Sequence, residues 1–224
     1  MSANIEKTKI EVGKKFINRI WLYESPKDYM VCAGFYNNGG DLNDADGVFL
    51  FKVGKEGGIN DVASYEIPVK VLNQYVSEKS QKKTEKKDNK DKAEFQELEL
   101  RELIIGDDGS LLLIGEQYYI MEHTTYSSKG SSSTSYTYHY NDMLVTKINE
   151  SGELVWMKKL PKKQTGKNGK GGMSYKYINS GGHHYLLFLD NLKNMNLPLN
   201  KIPAVHMDGA GGFLTAYKMN DADG

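Results

Sequence analysis

The sequence predicts an all-β fold built from antiparallel, four-stranded, blade-like meanders, and three observations predict it. Short apolar and aromatic stretches recur along the chain, separated by turns rich in Gly, Asn and Asp. The composition has 15 Tyr and 23 Gly but only 5 Pro, which suits strands and tight turns better than a helical bundle. Residues 98–163 read as four strands in a meander, and the segments on either side look like weaker copies of it.

In chain order, 9–12 is a short alternating stretch, followed by a strand over 16–24. The turn Ser25-Pro26-Lys27-Asp28 leads into 29–37, almost continuously apolar, which fits a strand covered on both faces. A polar loop then precedes a strand over 47–53, a Gly-rich hairpin turn at 54–58 and a strand over 59–69 ended by Pro68. Residues 77–94 carry lysines and acids with no large apolar residue, so they predict a solvated helical turn or a disordered insertion. The best-formed unit follows. Strand 98–106 turns at Asp107-Asp108-Gly109-Ser110, where Gly supplies a positive φ, into 110–120. Strand 142–148 alternates, turns at 149–152 and enters 153–161. The last third repeats the theme with strands over 174–180, 183–192 and 212–219.

Aligned, the copies place Gly34 with Gly115, Lys52 with Lys147 and Lys218, and Pro68 with Pro161. This divides the chain into a first repeat (1–69, with 7–13 as a strand shared with the last repeat), a charged insertion (70–97), a second repeat (98–163) and a third repeat incomplete at its end (164–224). The run of a DDGS turn (Asp107–Ser110), an apolar strand ending in Gly115, Asn141-Asp142 leading to Lys147 and Ile148, the turn Asn149–Gly152 and a strand with Trp156 resembles blade repeats of uncharacterised bacterial β-propeller-like proteins. That resemblance covers most of 10–219 and is closest in the second copy. It implies a propeller, partial or open because three blades cannot close a ring. It also implies a usually exported parent protein and brings no catalytic residues. An open arc leaves blade edges exposed, which predicts self-association.

In a blade meander the connections sort onto two ends. The short turns (24–28, 54–58, 106–110, 149–152, 180–183) fall on one end, and every long connection (38–46, 70–96, 121–140, 162–173, 192–211) on the other. Long loops on one rim read as the interaction surface. Within it, 121–140 is rich in Ser, Thr and Tyr. Tyr118, Tyr119, Tyr126, Tyr136, Tyr138, His139 and Tyr140 are the candidate ligand-binding residues, offering flat rings and hydroxyls for a glycan or peptide. A flexible polar insertion, or a β-ribbon prolonging its two strands, is the plainer reading of the same loop.

Other motifs fall short. Asp41, Asn43, Asp44 and Asp46 are weak calcium candidates, because Ala45 interrupts the required spacing. Residues 162–172 lack the leading Gly and the Ser/Thr of a phosphate loop, and Ser174 lacks the second Gly of a nucleophile elbow. His183 and His184 are adjacent on a strand and point to opposite faces. Glu116 ends an apolar strand without a placed partner. Trp21 and Trp156 read as packing aromatics, and Cys32, the single cysteine, as a buried strand residue. No metal or cofactor is expected. Lys+Arg and Asp+Glu balance at 29 each, so no global field argues for nucleic acid. No secretory leader and no membrane span is expected either. The reading is a non-enzymatic scaffold or binding module whose long-loop face takes a protein, peptide or glycan. The alternative is a hydrolase or lyase whose active site converges from several blades.

Overall fold

The computed structural model describes residues 7, 9–10, 12–40, 42–89, 93–167 and 172–224. Strands β1 (Phe16–Glu24), β2 (Tyr29–Asn37), β3 (Gly47–Gly54) and β4 (Ile59–Glu66) form an antiparallel meander, sheet 1. After two helices, α1 (Val69–Leu72) and α2 (Glu78–Asp88), come β5 (Leu98–Ile105), β6 (Leu111–Tyr126), β7 (Ser132–Ile148) and β8 (Leu154–Leu160), the meander of sheet 2. Two short strands extend that sheet: β9 (Gln164–Gly166) pairs with β7, and β12 (His206–Met207) runs parallel to β9. Sheet 3 consists of β10 (Lys176–Ser180), β11 (His183–Asp190) and β13 (Phe213–Asn220).

The three sheets share one register. The third-strand lysine lies opposite a second-strand residue each time: Lys52 opposite Val31, Lys147 opposite Leu112, Lys218 opposite Tyr185. We call the face bearing that lysine the front. The front of sheet 1 (Val31, Ala33, Phe35, Val48, Leu50) packs on the back of sheet 2 (Leu100, Leu103, Leu111, Leu113, Leu144, Ile148) in one core. The front of sheet 2 (Leu112, Ile114, Met143, Val145, Trp156) packs on the back of sheet 3 (Leu186, Phe188, Met219) in another. Sheet 2 is therefore covered on both faces over its first half, which is why 111–116 reads as an unbroken apolar run.

One contact recurs at both seams, the third-strand lysine reaching the turn of the next sheet, with a backbone acceptor at one and a carboxylate at the other. Lys52 Nζ donates to the backbone carbonyl of Glu150 at 2.5 Å and pairs with Asp61. Lys147 Nζ pairs with Asp221, which also accepts from His184, while the Trp156 indole donates to the Asp221 carbonyl. Glu150 and Asp221 each lie three residues past the third-strand lysine of their own sheet. Burial opposes ionisation of Asp221, but the hydrogen bonds from Lys147 and His184 hold its carboxyl below the ordinary value.

Gly115 is fixed by the first seam. A Cβ there would lie 2.7 Å from the Phe35 ring and 2.8 Å from a Leu98 methyl, so only glycine lets Phe35 seat on sheet 2. The turn after β5 forms as expected. Gly109 has φ +86°, and Asp108 accepts from the Ser110 amide and hydroxyl. Those two bonds lower the Asp108 pKa.

Several expectations are corrected. Strand 59–69 stops at Glu66, and Pro68 opens α1 instead. The insertion 77–94 contains a regular helix, α2, capped by Ser77 Oγ accepting from the Ser80 amide and buried nowhere along its length. Of the strand expected at 7–13, residues 8 and 11 lie outside the described residues, and Lys7, Lys9, Ile10 and Val12 are in no strand. Sheet 3 has three strands among the described residues. The connections 162–173 and 192–211 contain the short strands β9 and β12, which join sheet 2, β9 on β7 and β12 on the Lys163–Thr165 backbone.

Candidate functional site

The connections sort as the meander rule requires. At one end the short turns meet: Lys27 pairs with Glu150, and Gly109 sits against Tyr29 and Lys27. At the other end the long connections meet: Ala45 bridges Phe95, the Asp44 carboxylate accepts from the Glu97 amide, and Lys159 Nζ donates to the carbonyls of Leu72 and Gln74.

The dominant feature of the long-loop end is a ribbon. Strands β6 and β7 stay paired from Tyr118↔Tyr140 out to Tyr126↔Ser132, so 121–140 is a projecting β-hairpin, the second of its two plainer readings. Its tip closes through Ser127 and Ser131, with Gly130 at φ +81°. Thr124 and Thr134 join hydroxyls across the strands at 3.2 Å.

The pairing sorts the seven candidate residues. Residues directly opposite share a face, so Tyr118, Tyr126, Tyr136, Tyr138 and Tyr140 lie on one side of the ribbon together with Ile120 and Glu122. Tyr119 and His139 lie on the other side, stacked on each other with centroids 4.5 Å apart. The candidate set is therefore a row of five tyrosines with a separate pair behind it. The row grades outward from Tyr140, 3 % exposed, through half-buried Tyr118 and Tyr138 to Tyr136 at 48 % and Tyr126 at 79 %. Tyr136, Tyr138 and Tyr140 are successive same-face residues, about 7 Å apart along the strand.

Burial lowers the pKa of His139, helped by His123 and Lys163, so the ring is neutral at pH 7. The folded pKa lies below the ordinary 6.5, so on acidification the unfolded chain takes up the proton first. Stability at this site should be complete above pH 6.5 and fall as pH drops through the folded pKa. A titration followed by NMR is expected to place the His139 midpoint below 6.5, and His139→Gln should flatten this part of the pH dependence of urea unfolding.

At the foot of the tyrosine row lies a group of residues that sequence reasoning did not bring together. Glu116 and Lys162 are both fully buried and paired at 2.8 Å. Arg101 Nε donates to Glu116 Oε2 at 3.0 Å, and Ser174 Oγ reaches both carboxylate oxygens at 3.0 and 2.9 Å. The remaining Lys162 hydrogens go to the Tyr140 carbonyl and to Gln164 Oε1. Gln164 Oε1 also accepts from the Ser174 amide, which helps hold Ser174 at φ +69°, a conformation that non-glycine residues seldom adopt. Two bulges aim the parts: one displaces Arg101 in β5, the other puts Asn141 and Asp142 of β7 opposite the single residue Gln117 of β6. Arg101 then lies over the Tyr118 ring at 4.8 Å.

Burial pushes the Lys162 pKa down, and the adjoining Glu116 carboxylate resists that shift. Burial also raises the phenols of Tyr175 and Tyr140, the latter to about 12. Chemically the cluster is closed. Both Glu116 oxygens are taken by Lys162, Arg101 and Ser174, and Lys162 has three acceptors for three hydrogens. Such a network fixes the ribbon's root and the 162–174 segment to one another. The signal that pointed here was Glu116 at the end of an apolar strand, while Lys162 and Ser174 sit in polar segments that look like ordinary loops.

Among the described calcium candidates, Asp46 and Asn43 each give an oxygen to the protein's own backbone. The Asp46 carboxylate accepts from the Asn38 amide and the Asn43 carbonyl from the Leu98 amide, while Asp41 lies outside the described residues. Among the described residues no three His, Cys, Asp or Glu side chains group closely enough to hold a metal. His184 faces the seam and His183 the opposite side, as their adjacency demands. Cys32 is buried, and burial pushes its thiol up to about 12. No described helix is long and apolar enough to cross a membrane.

Fold and site thus define an all-β protein of stacked antiparallel sheets carrying a tyrosine-faced ribbon. The chain matches no protein-family model, no curated protein and no solved structure.

Proposed function

We propose that this chain is a binding module of β-propeller type whose three sheets are consecutive blades, and that it works through the tyrosine face of the ribbon. The observation that carries the reading is the row Tyr140, Tyr118, Tyr138, Tyr136 and Tyr126, same-face residues that run from a buried root to an exposed tip. Tyrosine offers a flat apolar ring and a hydroxyl at little entropic cost, so a line of them suits an extended chain, a glycan or a strand-like peptide, lying along the ribbon. The buried ion cluster beneath the row holds that face rigid, which favours binding by sparing an ordering cost.

Replacing Tyr126, Tyr136 and Tyr138 together by Ser tests the proposal against panels of immobilised glycans and extended peptides. The native chain is expected to retain at least one ligand class. The triple variant should lose about tenfold or more in affinity, as when aromatic anchors are removed, with its thermal unfolding little changed. Binding that survives the triple substitution would overturn the reading.

A further inference from the structure

Helix α2 is laid on the surface rather than packed into it. None of its residues is buried, and its half-buried positions, Gln81, Thr84 and Lys87, mark the side turned to the protein. Gln81 Nε2 donates there to the carbonyls of Asn73 and Val76. Along the sequence the lysines are interspersed with acids, but the helix parts them. At about 100° per residue, Lys82, Lys86, Lys79, Lys83 and Lys87 follow one another around an arc of about 140°. Glu78, Glu85 and Asp88 all fall outside that arc. Lys79, Lys82, Lys83 and Lys86 are exposed and form the side opposite Gln81 and Thr84. Four ammonium groups therefore stand away from the protein along about 10 Å of helix.

This row is electrostatically unsatisfied. Lys79 lies three and four residues from Lys82 and Lys83, Lys82 four from Lys86, and Lys83 three and four from Lys86 and Lys87. At those spacings like charges on a helix repel. The ion pairs of the described residues include none of the five lysines. With eleven residues and no buried side, α2 has little packing to offset the repulsion. An anionic partner laid against the row would relieve it.

The residue types say which kind of anion fits. The row has no Arg, whose planar fork suits single phosphates and carboxylates, and no aromatic ring on which a base could stack. It offers point charges spread over one outward side, which suits a surface carrying many anions at once. It has no apolar residue to enter hydrocarbon, so its contact stops at the headgroups.

We infer that α2 docks this chain on an anionic lipid surface, with Lys79, Lys82, Lys83 and Lys86 as the contact and charge alone as the attraction. The row is separate from the tyrosine face, and the two inferences fail independently.

Vesicle flotation tests it on the intact chain. Binding is expected to phosphatidylcholine vesicles containing about one third phosphatidylserine, with release at about 0.5 M salt. Pure phosphatidylcholine vesicles should not be bound. Replacing the four lysines together by Gln, a good helix former, should leave the chain folded and lower the affinity about a hundredfold or more. Replacing them by Arg keeps the charge and should keep the binding. No binding to the anionic vesicles at low salt would overturn the proposal, as would equal binding to neutral ones or binding that the four Gln substitutions leave intact. Tighter binding to a DNA duplex than to the anionic vesicles would also overturn it, by making the row a nucleic-acid contact.

Discussion

Lys162→Met is expected to cost roughly 3–5 kcal/mol of folding stability, the range found when one partner of a buried ion pair is removed. The Glu116–Lys162 pair has both side chains out of contact with water; Lys162 relies on Glu116 for compensation, and Glu116 on Lys162 together with Arg101. With Lys162 gone, the Tyr140 carbonyl loses a donor and Gln164 loses one of its hydrogen bonds. The root of the ribbon and the strained backbone at Ser174 should loosen together. Glu116→Gln should cost a comparable amount, because Lys162 would then sit uncompensated where burial already disfavours its charge. The double variant should cost less than the sum, since neither charge is left alone. Urea denaturation of the four proteins gives the coupling. Additive losses would show that the two side chains do not act as a pair.

Gly115→Val is the second large effect, expected at about 3 kcal/mol from overpacking. The new side chain would enter the space held by the Phe35 ring and a Leu98 methyl, each under 3.0 Å from the Cβ position. Phe35 is 1 % exposed in a continuous core, so it has little room to withdraw. Phe35→Leu, which shortens the opposing side chain, should be destabilising alone yet recover part of the loss when combined with Gly115→Val. Thermal unfolding of the singles and the double checks this. A Gly115→Val protein as stable as the native chain would mean that Phe35 does not seat on sheet 2.

The strand order within each sheet was legible because it rests on local pattern. The Asp108-Gly109 turn, the glycines at 34 and 115 and the lysines at 52, 147 and 218 mark equivalent places in a repeated strand order, and strand pairing turns those places into shared register. The sorting of short turns and long loops follows from the same meander. The ion cluster was not legible. Lys162 sits in a lysine-rich run after Pro161, where lysine normally marks a solvated segment, and only the return of 162–174 across the ribbon's root buries it. Glu116, its charge partner, is reached also by Arg101 and Ser174 from two further segments, and bulges that no periodicity announces help bring them together. The split of Tyr119 and His139 from the other tyrosines needed the exact pairing across the Asn141-Asp142 bulge of β7, since one residue of slippage exchanges the two faces.

The reading of the three sheets as consecutive units rests on their front-to-back stacking. A NOESY spectrum of protein labelled at Phe and Leu tests that stacking most directly. Cross-peaks are expected between the Phe35 ring of sheet 1 and the Leu98 methyls of sheet 2, which approach one point beside Gly115 from opposite sheets. A Phe35 ring with cross-peaks only to residues of its own sheet would contradict the stacking.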